Sequence, residues 1–185
     1  MEIKNIFKLT NLKWLNIFEV NATNKKGKDI SWQFVSRKKN PLYDKTADAV
    51  VIVPILCEKN KRKLVMIKEF RVPLNDYEYG FPAGLIEKDE NLEDSIKREL
   101  KEETGLDLRK ILKETKSLYS SPGLTDESAI VCCVEASGEV SNKYQESSED
   151  IEVFLVEFDE ILDIIDDENK KISAKTWGIL NSFVE

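Results

Sequence analysis

Short apolar runs separated by polar turns dominate the first half of this 185-residue chain. Trp14–Thr23 and Ile30–Arg37 have strand-like patterns and, with a polar turn between them, predict a hairpin. Ala49–Leu56 is almost continuously apolar and predicts a buried strand, in which Pro54 predicts an edge or a bulge near the end. Leu64–Phe70 predicts another strand. The first half is therefore predicted to be mainly sheet.

The remaining segments follow from the same reasoning. Turns and loops are predicted at Glu58–Arg62, Val72–Tyr79 and Ser121-Pro122-Gly123, strands at Ile111–Ser120, Ser128–Ala136 and Ile151–Val156, and helices at Glu157–Ile165 and Ser173–Val184. Strands and helices do not alternate in a regular βαβ order. We therefore predict an α/β (α+β) fold in which a mixed sheet carries packed helices.

A break near residue 45 divides the chain. Asn40-Pro41 interrupts the strand pattern, and residues 41–45 resemble a short linker. We predict a small antiparallel β-segment at residues 1–45 and a main domain at residues 46–185.

The clearest helix covers Asn91–Thr104. Asn91 is a suitable N-cap, Glu93 and Asp94 place negative charge in the first turn, and Gly105 supplies a stop. Leu92, Ile96 and Leu100 recur four residues apart and form an apolar stripe that predicts packing against the sheet.

Composition excludes several kinds of chemistry. The chain has 28 Lys and Arg against 35 Asp and Glu, a net charge of −7, which argues against a nucleic-acid partner. It contains no His, which excludes Ser-His-Asp and Cys-His catalysis and His-ligated zinc. Acid–base chemistry must therefore use carboxylates, Lys, Tyr, Cys or metal-bound water.

The three cysteines, Cys57, Cys132 and Cys133, form no CxxC pair and favour a reducing, cytoplasmic location without disulfides. Cys132 and Cys133 lie in an apolar run and are predicted to be packing residues. We expect neither a signal peptide nor a membrane span, because no apolar run approaches the required length.

Three carboxylates crowd one face of the predicted helix. At about 100° per residue, Glu99, Glu102 and Glu103 fall within an arc of roughly 100°. Like charges at this spacing repel, and a hard divalent cation such as Mg²⁺ would turn the repulsion into a binding site. The alternative is a solvated acidic face supported by pairs such as Glu93–Lys97 and Asp94–Arg98.

The wider spacing favours the metal site. From Gly84 to Leu106 the sequence reads GLIEKDENLEDSIKRELKEETGL, which resembles the Nudix box GX5EX7REUXEEXGU at every defined position. The resemblance implies the Nudix fold, a mixed β-sheet sandwiched between helices, with the box forming a loop, a helix and a loop. It also implies hydrolysis of a nucleoside diphosphate linked to another moiety, with Mg²⁺ or Mn²⁺.

The resemblance implies roles for residues of the box. Glu99 and Glu103 are the strongest candidate metal ligands, Glu102 is a third or water-mediated ligand, and the Ala83 carbonyl is a main-chain ligand. Arg98 is expected to pair with Glu90 and orient the ligands. Gly84 and Gly105 are expected to allow tight turns at the ends of the box.

Further residues resemble the ADP-ribose pyrophosphatase subgroup. Pro122 lies 16 residues after Leu106, Trp32 and Arg37 resemble an N-terminal aromatic-and-Arg segment, and Arg71 ends a strand as a substrate-facing Arg does there. Phe81-Pro82-Ala83-Gly84 matches the entry to the box. One departure is Gly80, where many relatives carry an acid, and Glu78 lies two positions earlier.

This resemblance implies hydrolysis of ADP-ribose to AMP and ribose 5-phosphate. The alternatives are the same chemistry on another nucleoside diphosphate sugar or a dinucleotide, or a non-catalytic nucleotide sensor. The full set of box carboxylates disfavours the sensor.

Candidate substrate contacts follow from side-chain chemistry. Arg37 and Arg71 are suited to clamping phosphates, Trp32 to stacking on adenine, and Glu127 to bonding ribose hydroxyls. Pro122 is a further substrate-binding candidate from its offset. Each has an ordinary alternative as a surface, core or turn residue.

The resembled subgroup uses a glutamate from a loop in this region as a base or an extra metal ligand, and the polar run Ser141–Asp150 could form that loop. Glu146 and Glu149 are the candidates there, and Glu149 matches the subgroup better; a solvated acidic loop is the alternative. Glu102 and Glu103 are the other candidates for catalysis.

The N-terminal segment predicts a homodimer. Residues 1–45 are too few for a core of their own, yet they carry Trp14, Ile17, Phe18, Trp32 and Phe34. The resembled subgroup often pairs such segments across a two-fold axis.

Overall fold

A computed structural model describes residues 1–58, 61–147 and 149–184 of the chain. The chain divides into two compact units, which are described separately. The first contains residues 1–48 and 117–129, and the second contains residues 49–116 and those from 130 onward. The segment 117–129 therefore accompanies the N-terminal residues, whereas the domain boundary at residue 45 stays a prediction.

The first unit is built on a three-stranded antiparallel sheet of β1 (Glu2–Lys8), β2 (Asn16–Thr23) and β3 (Asp29–Ser36), in that order. The predicted hairpin is confirmed as β2 and β3. In β2 alternate residues are buried, and Phe18 stacks on Phe34 with ring centroids 5.8 Å apart. Strand β1 was not predicted, because its mostly exposed residues do not mark a buried face.

The second unit contains most of a larger mixed sheet. Its strands are β4 (Ala49–Glu58), β5 (Lys61–Arg71), β6 (Asp76–Gly80), β7 (Ala83–Leu85), β8 (Asp107–Glu114), β10 (Ser128–Ser137), β11 (Ile151–Glu157) and β12 (Lys171–Ile172). The short strand β9 (Leu118–Tyr119) lies in the first unit, where it pairs with the first two residues of β10. The order is β12-β6-β5-β4-β10-β8, with β11 beside β5 and β7 beside β4. β12 is parallel to β6. The mixed sheet is confirmed.

Pro54 separates two pairing regions of β4. The strand pairs with β7 from Ala49 to Val51 and with β5 from Ile55 onward. A proline cannot donate a ladder hydrogen bond, so it fits the position where the partner changes. The predicted irregularity is therefore present inside the sheet rather than at its edge.

Among the described residues, three helices accompany the sheet: α1 (Leu92–Thr104), α2 (Ile161–Ile165) and α3 (Ala174–Asn181). The predicted helix at Asn91–Thr104 is confirmed, with Asn91 as its N-cap. The segment predicted as a helix from Glu157 is the end of β11, then a 3₁₀ turn, Phe158–Glu160, and only then α2. No helix in the described part of the chain is long and apolar enough to cross a membrane.

Two other sequence predictions were wrong in detail. Val72–Tyr79 was predicted as a loop, but it contains a 3₁₀ turn at Val72–Leu74 and most of β6, which pairs with β5. The strand predicted at Ile111–Ser120 is two strands, β8, which begins at Asp107 and ends at Glu114, and β9. The start of β8 was missed because most of its residues before Ile111 are charged and exposed and carry little apolar signal. Residues 59 and 60 of the predicted turn Glu58–Arg62 lie outside the described residues.

The core of the second unit lies between α1 and the sheet. Ile96 and Leu100 of α1 are fully buried among Val50, Ile52 and Val65. Cys132 is buried in the same core, as predicted, and all three cysteines are free thiols. The apolar stripe thus fixes which face of α1 turns toward the sheet.

Leu100→Ala is expected to lower the free energy of unfolding by about 2–5 kcal/mol, because it opens a cavity in this core. Urea unfolding measures the change. The matched control is Leu112→Ala on β8, where the side chain is exposed and a change below about 0.5 kcal/mol is expected. Equal effects of the two substitutions would contradict the assigned packing of α1.

Candidate active site

The ends of α1 are fixed by local hydrogen bonds. The Asn91 side chain accepts a hydrogen bond of 3.0 Å from the amide of Asp94. Gly105 ends the helix in the left-handed region at φ 77°, and a Cβ there would lie 2.8 Å from the backbone of Ser141. Both the conformation and the close approach require glycine at this position.

Two predicted ligands lie on the buried side of α1. Glu103 is 3% exposed and Glu99 is 7% exposed, whereas Glu102 is half-buried. The Ala83 amide donates a hydrogen bond of 3.2 Å to Oε2 of Glu103. The predicted main-chain ligand Ala83 is therefore tied directly to a predicted metal carboxylate, through its amide.

Gly84 serves a purpose that the sequence did not indicate. It lies in β7 with an extended backbone, and a Cβ built on it would lie 1.8 Å from Oε1 of Glu99. The residue is therefore needed for space, not for a tight turn as expected. Any side chain here would displace the Glu99 carboxylate.

Arg98 joins the acidic side chains of the box. Its Nε and Nη2 donate to the two oxygens of Glu90 at 3.0 and 2.9 Å, so the predicted pair is present. Its Nη1 lies 2.6 Å from Glu99 and 3.3 Å from Glu102. The bonds from Arg98 lower the pKa of Glu90 to about 2. Asp94, which the sequence analysis offered as another partner of Arg98, instead lies 4.0 Å from Nζ of Lys97.

Burial and like charge act together on the carboxylates. Burial, followed by the negative charges of Glu99, Glu69 and Glu149, raises the pKa of Glu103 to about 9. Burial also raises the pKa of Glu99 and of Glu149. The site therefore concentrates carboxyl groups where water would solvate their charged forms poorly, and the loop residue Glu149 is one of them.

Glu69 was missed by the sequence analysis. It lies in β5 two residues before Arg71, so both point to one face of the strand. Burial raises the pKa of Glu69, and its charge in turn acts on Glu103. The available signal was the only acid in β5, two residues before the predicted substrate residue Arg71.

The carboxylates do not form a closed ligand set in this arrangement. Within the described ranges, no group of three acidic or cysteine side chains is positioned to hold a metal ion. The guanidinium of Arg98 supplies the positive charge beside Glu99 and Glu102 in this arrangement.

Arg71 is held by two acids. Its Nη2 lies 2.7 Å from Glu69, and its Nε donates to Glu78 at 3.3 Å. Glu78 and Gly80 lie on the same face of β6, and both line a small recess with Glu69 and Arg71. Glu78 therefore lies in the same recess as Gly80, the position where many relatives carry an acid.

The other predicted substrate residues lie in the first unit. Trp32, which is 57% exposed, and Pro122 line an apolar cavity of about 430 Å³ together with Phe34 and Tyr119. The sequence analysis missed Asp126, which also lines this cavity and whose buried Oδ2 lacks a hydrogen-bond partner within the described part of the chain.

Arg37 and Glu127 are brought together in the same unit. Nε of Arg37 lies 3.5 Å from Glu127, and both side chains are partly exposed. An ion pair at this exposure contributes little to stability and leaves both groups accessible to a ligand.

Comparisons with known proteins agree with the box. The sequence profile of the NUDIX domain matches residues 45–176. Nudix hydrolase 2 of Caenorhabditis elegans is 36% identical over 152 residues, which cover 80% of this chain and 68% of that protein. An ADP-ribose pyrophosphatase of Bacillus subtilis (strain 168) is 35% identical over 115 residues, or 62% of each chain.

The fold agrees as well. A crystal structure of an ADP compounds hydrolase superposes with a TM-score of 0.75 at 19% identity, covering 97% of this chain and 89% of that one. Together with the profile match, this likeness confirms the predicted fold. The chain belongs to the Nudix hydrolase family.

Proposed function

We propose that the protein hydrolyses the diphosphate bond of ADP-ribose to AMP and ribose 5-phosphate with Mg²⁺ or Mn²⁺. The observation that carries the proposal is the set of Glu99, Glu102 and Glu103 on one side of α1, with Glu149 close enough to act on them electrostatically. The printed name of the Bacillus relative supports the choice of substrate.

The donor set fits a hard divalent cation. Glu99, Glu102, Glu103 and the Ala83 carbonyl supply oxygen ligands, and Gly84 leaves room for the Glu99 carboxylate. Buried like charges without a cation are costly, as the raised pKa of Glu103 indicates. A divalent ion held by these residues would supply positive charge for the diphosphate and would make a water molecule easier to deprotonate.

Protein groups then position the reactants. Arg98, fixed by Glu90, orients Glu99 and Glu102 through its Nη1. We assign Glu149 as the base that accepts a proton from the attacking water, because its raised pKa makes it a stronger base than an exposed carboxylate. The phosphorus–oxygen bond between the two phosphates breaks as the new one forms.

The nucleotide is assigned to residues predicted from the sequence. Trp32 stacks on adenine beside Pro122, Arg37 and Arg71 bind phosphate oxygens, and Glu127 accepts hydrogen bonds from ribose. The apolar cavity beside Trp32 is large enough for a nucleobase.

We also infer that the protein is a cytoplasmic homodimer. The three thiols are free, which suits a reducing compartment. The first unit exposes large apolar side chains, including Phe7, Leu12, Trp14 and Ile17, which a second copy would cover.

Glu103→Gln is expected to lower kcat by about 100-fold or more, because several kcal/mol of metal-assisted stabilisation are lost. The metal-free variant should unfold at a temperature no lower than wild type, since the neutral Gln avoids the cost of ionising a carboxyl group at this buried position. The matched control is Glu93→Gln on the exposed side of α1, which should keep full activity. Wild-type turnover in Glu103→Gln would refute its assignment as a ligand.

ADP-ribose is expected to give the highest kcat/KM in a panel with ADP-glucose, UDP-glucose, GDP-mannose and NADH at equal Mg²⁺. Specificity is a ratio of these values, so all five must be measured under the same conditions. A competitor that exceeds ADP-ribose by about tenfold would overturn the substrate assignment but not the family. An absence of turnover with binding retained would favour the sensor.

Light scattering at micromolar concentration is expected to give twice the 21.3 kDa mass of the chain. Trp14→Ser should shift the protein toward monomer, because it removes an exposed apolar side chain from the expected interface. Tyr43→Ser, also exposed in the first unit, is the control. A wild-type monomer would rule out the dimer.

A further inference from the structure

The second unit contains a groove in which Arg71 is the only described lining residue predicted from the sequence to contact substrate. It has a volume of about 570 Å³, within the range of small-molecule sites, and lies between the 3₁₀ turn Val72–Leu74 and strand β12. Pro73, Leu74 and Ile172 form its apolar part. Leu74 is 48% exposed, so this surface is open to a ligand.

Charged side chains with acidic partners surround the apolar part. Lys170 is paired with Asp167, and Lys171 is paired with Asp76. An ammonium group carries three hydrogens, so each lysine keeps donors for a further acceptor.

Arg71, Glu78 and Ser173 complete the polar lining. Arg71 is paired with both Glu69 and Glu78, so each of the three cations at the groove has an acidic partner. Such a surface offers donors and acceptors without excess positive charge. It suits a neutral, polyhydroxylated ligand better than a free phosphate, and an apolar floor with polar edges matches the two kinds of surface of a sugar ring.

The groove adjoins the carboxylates of α1 through Arg71. Arg71 and Glu78 also line the recess that contains Glu69 and Phe81. Phe81 lies two residues before Ala83, whose amide donates to Glu103. The ion pairs of Arg71 use Nε and Nη2. Within the described residues Nη1 has no protein acceptor, so it can donate to a phosphate oxygen at the inner end of the groove.

We propose that this groove binds the sugar on the far side of the diphosphate, with Arg71 marking the junction between sugar and phosphate. The proposal rests on the proposed function, because it places one half of that substrate. Lys170 and Lys171 donate to sugar hydroxyls, Glu78 accepts from them, and Leu74 and Ile172 contact the apolar face of the ring.

The test fills the groove and compares substrates with and without the sugar. Leu74→Trp is expected to lower kcat/KM for ADP-ribose by about tenfold or more, the scale of a lost pocket contact. With the methyl ester of ADP, which has no distal sugar, the change should stay within about twofold. Leu112→Trp on β8 is the matched control, and it should leave both substrates unaffected. An equal loss with both substrates, or no loss with either, would overturn the proposal.

A binding measurement separates this proposal from the proposed function. Ribose 5-phosphate is titrated into the wild-type protein, and amide chemical shifts of Leu74, Ile172 and Ser173 are followed by NMR. We expect saturable shifts there that disappear in Leu74→Trp. If the protein hydrolyses none of the substrates but these shifts occur, the reaction is wrong and the groove assignment stands. Unchanged shifts at all three residues would refute the groove assignment even if ADP-ribose is hydrolysed.

Discussion

The burial of carboxylates beside a buried apolar stripe is the constraint on which the second unit depends. Ile96 and Leu100 hold α1 against the sheet, and the same rotation of the helix carries Glu99 and Glu103 out of water. Burying a charge costs several kcal/mol unless a partner compensates it. The core supplies that free energy, and Arg98 supplies part of the compensation.

The compensation is incomplete, and this has a chemical consequence. Glu103 accepts one amide hydrogen bond from Ala83, yet its pKa stays far above the ordinary value. A cation stabilises the ionised form of this buried carboxyl group more than that of an exposed one, because it offsets both the desolvation and the repulsion from neighbouring acids. The cost of desolvation and repulsion in the metal-free fold is therefore the source of affinity for the proposed metal ion.

The features predicted from the sequence are those determined by spacing along the chain. Helical periodicity placed Glu99, Glu102 and Glu103 on one face, and the structure keeps them near one another with Arg98 beside Glu90. Glu69 was missed because its relation to Glu103 depends on how β5 lies against α1. Gly84 was assigned to a turn because the approach of Glu99 is a tertiary contact that no local pattern encodes.

The absence of an acid at position 80 illustrates the same distinction. In linear sequence Glu78 is two residues away and its role is ambiguous. In the sheet, residues two apart share a face, and β5 and β6 pair so that Glu78 lies directly opposite Glu69. Like charges placed in this way would repel, but Arg71 lies between them and contacts both. The two acids and the arginine therefore form a single unit, and a substitution at any one of them changes the surroundings of the other two.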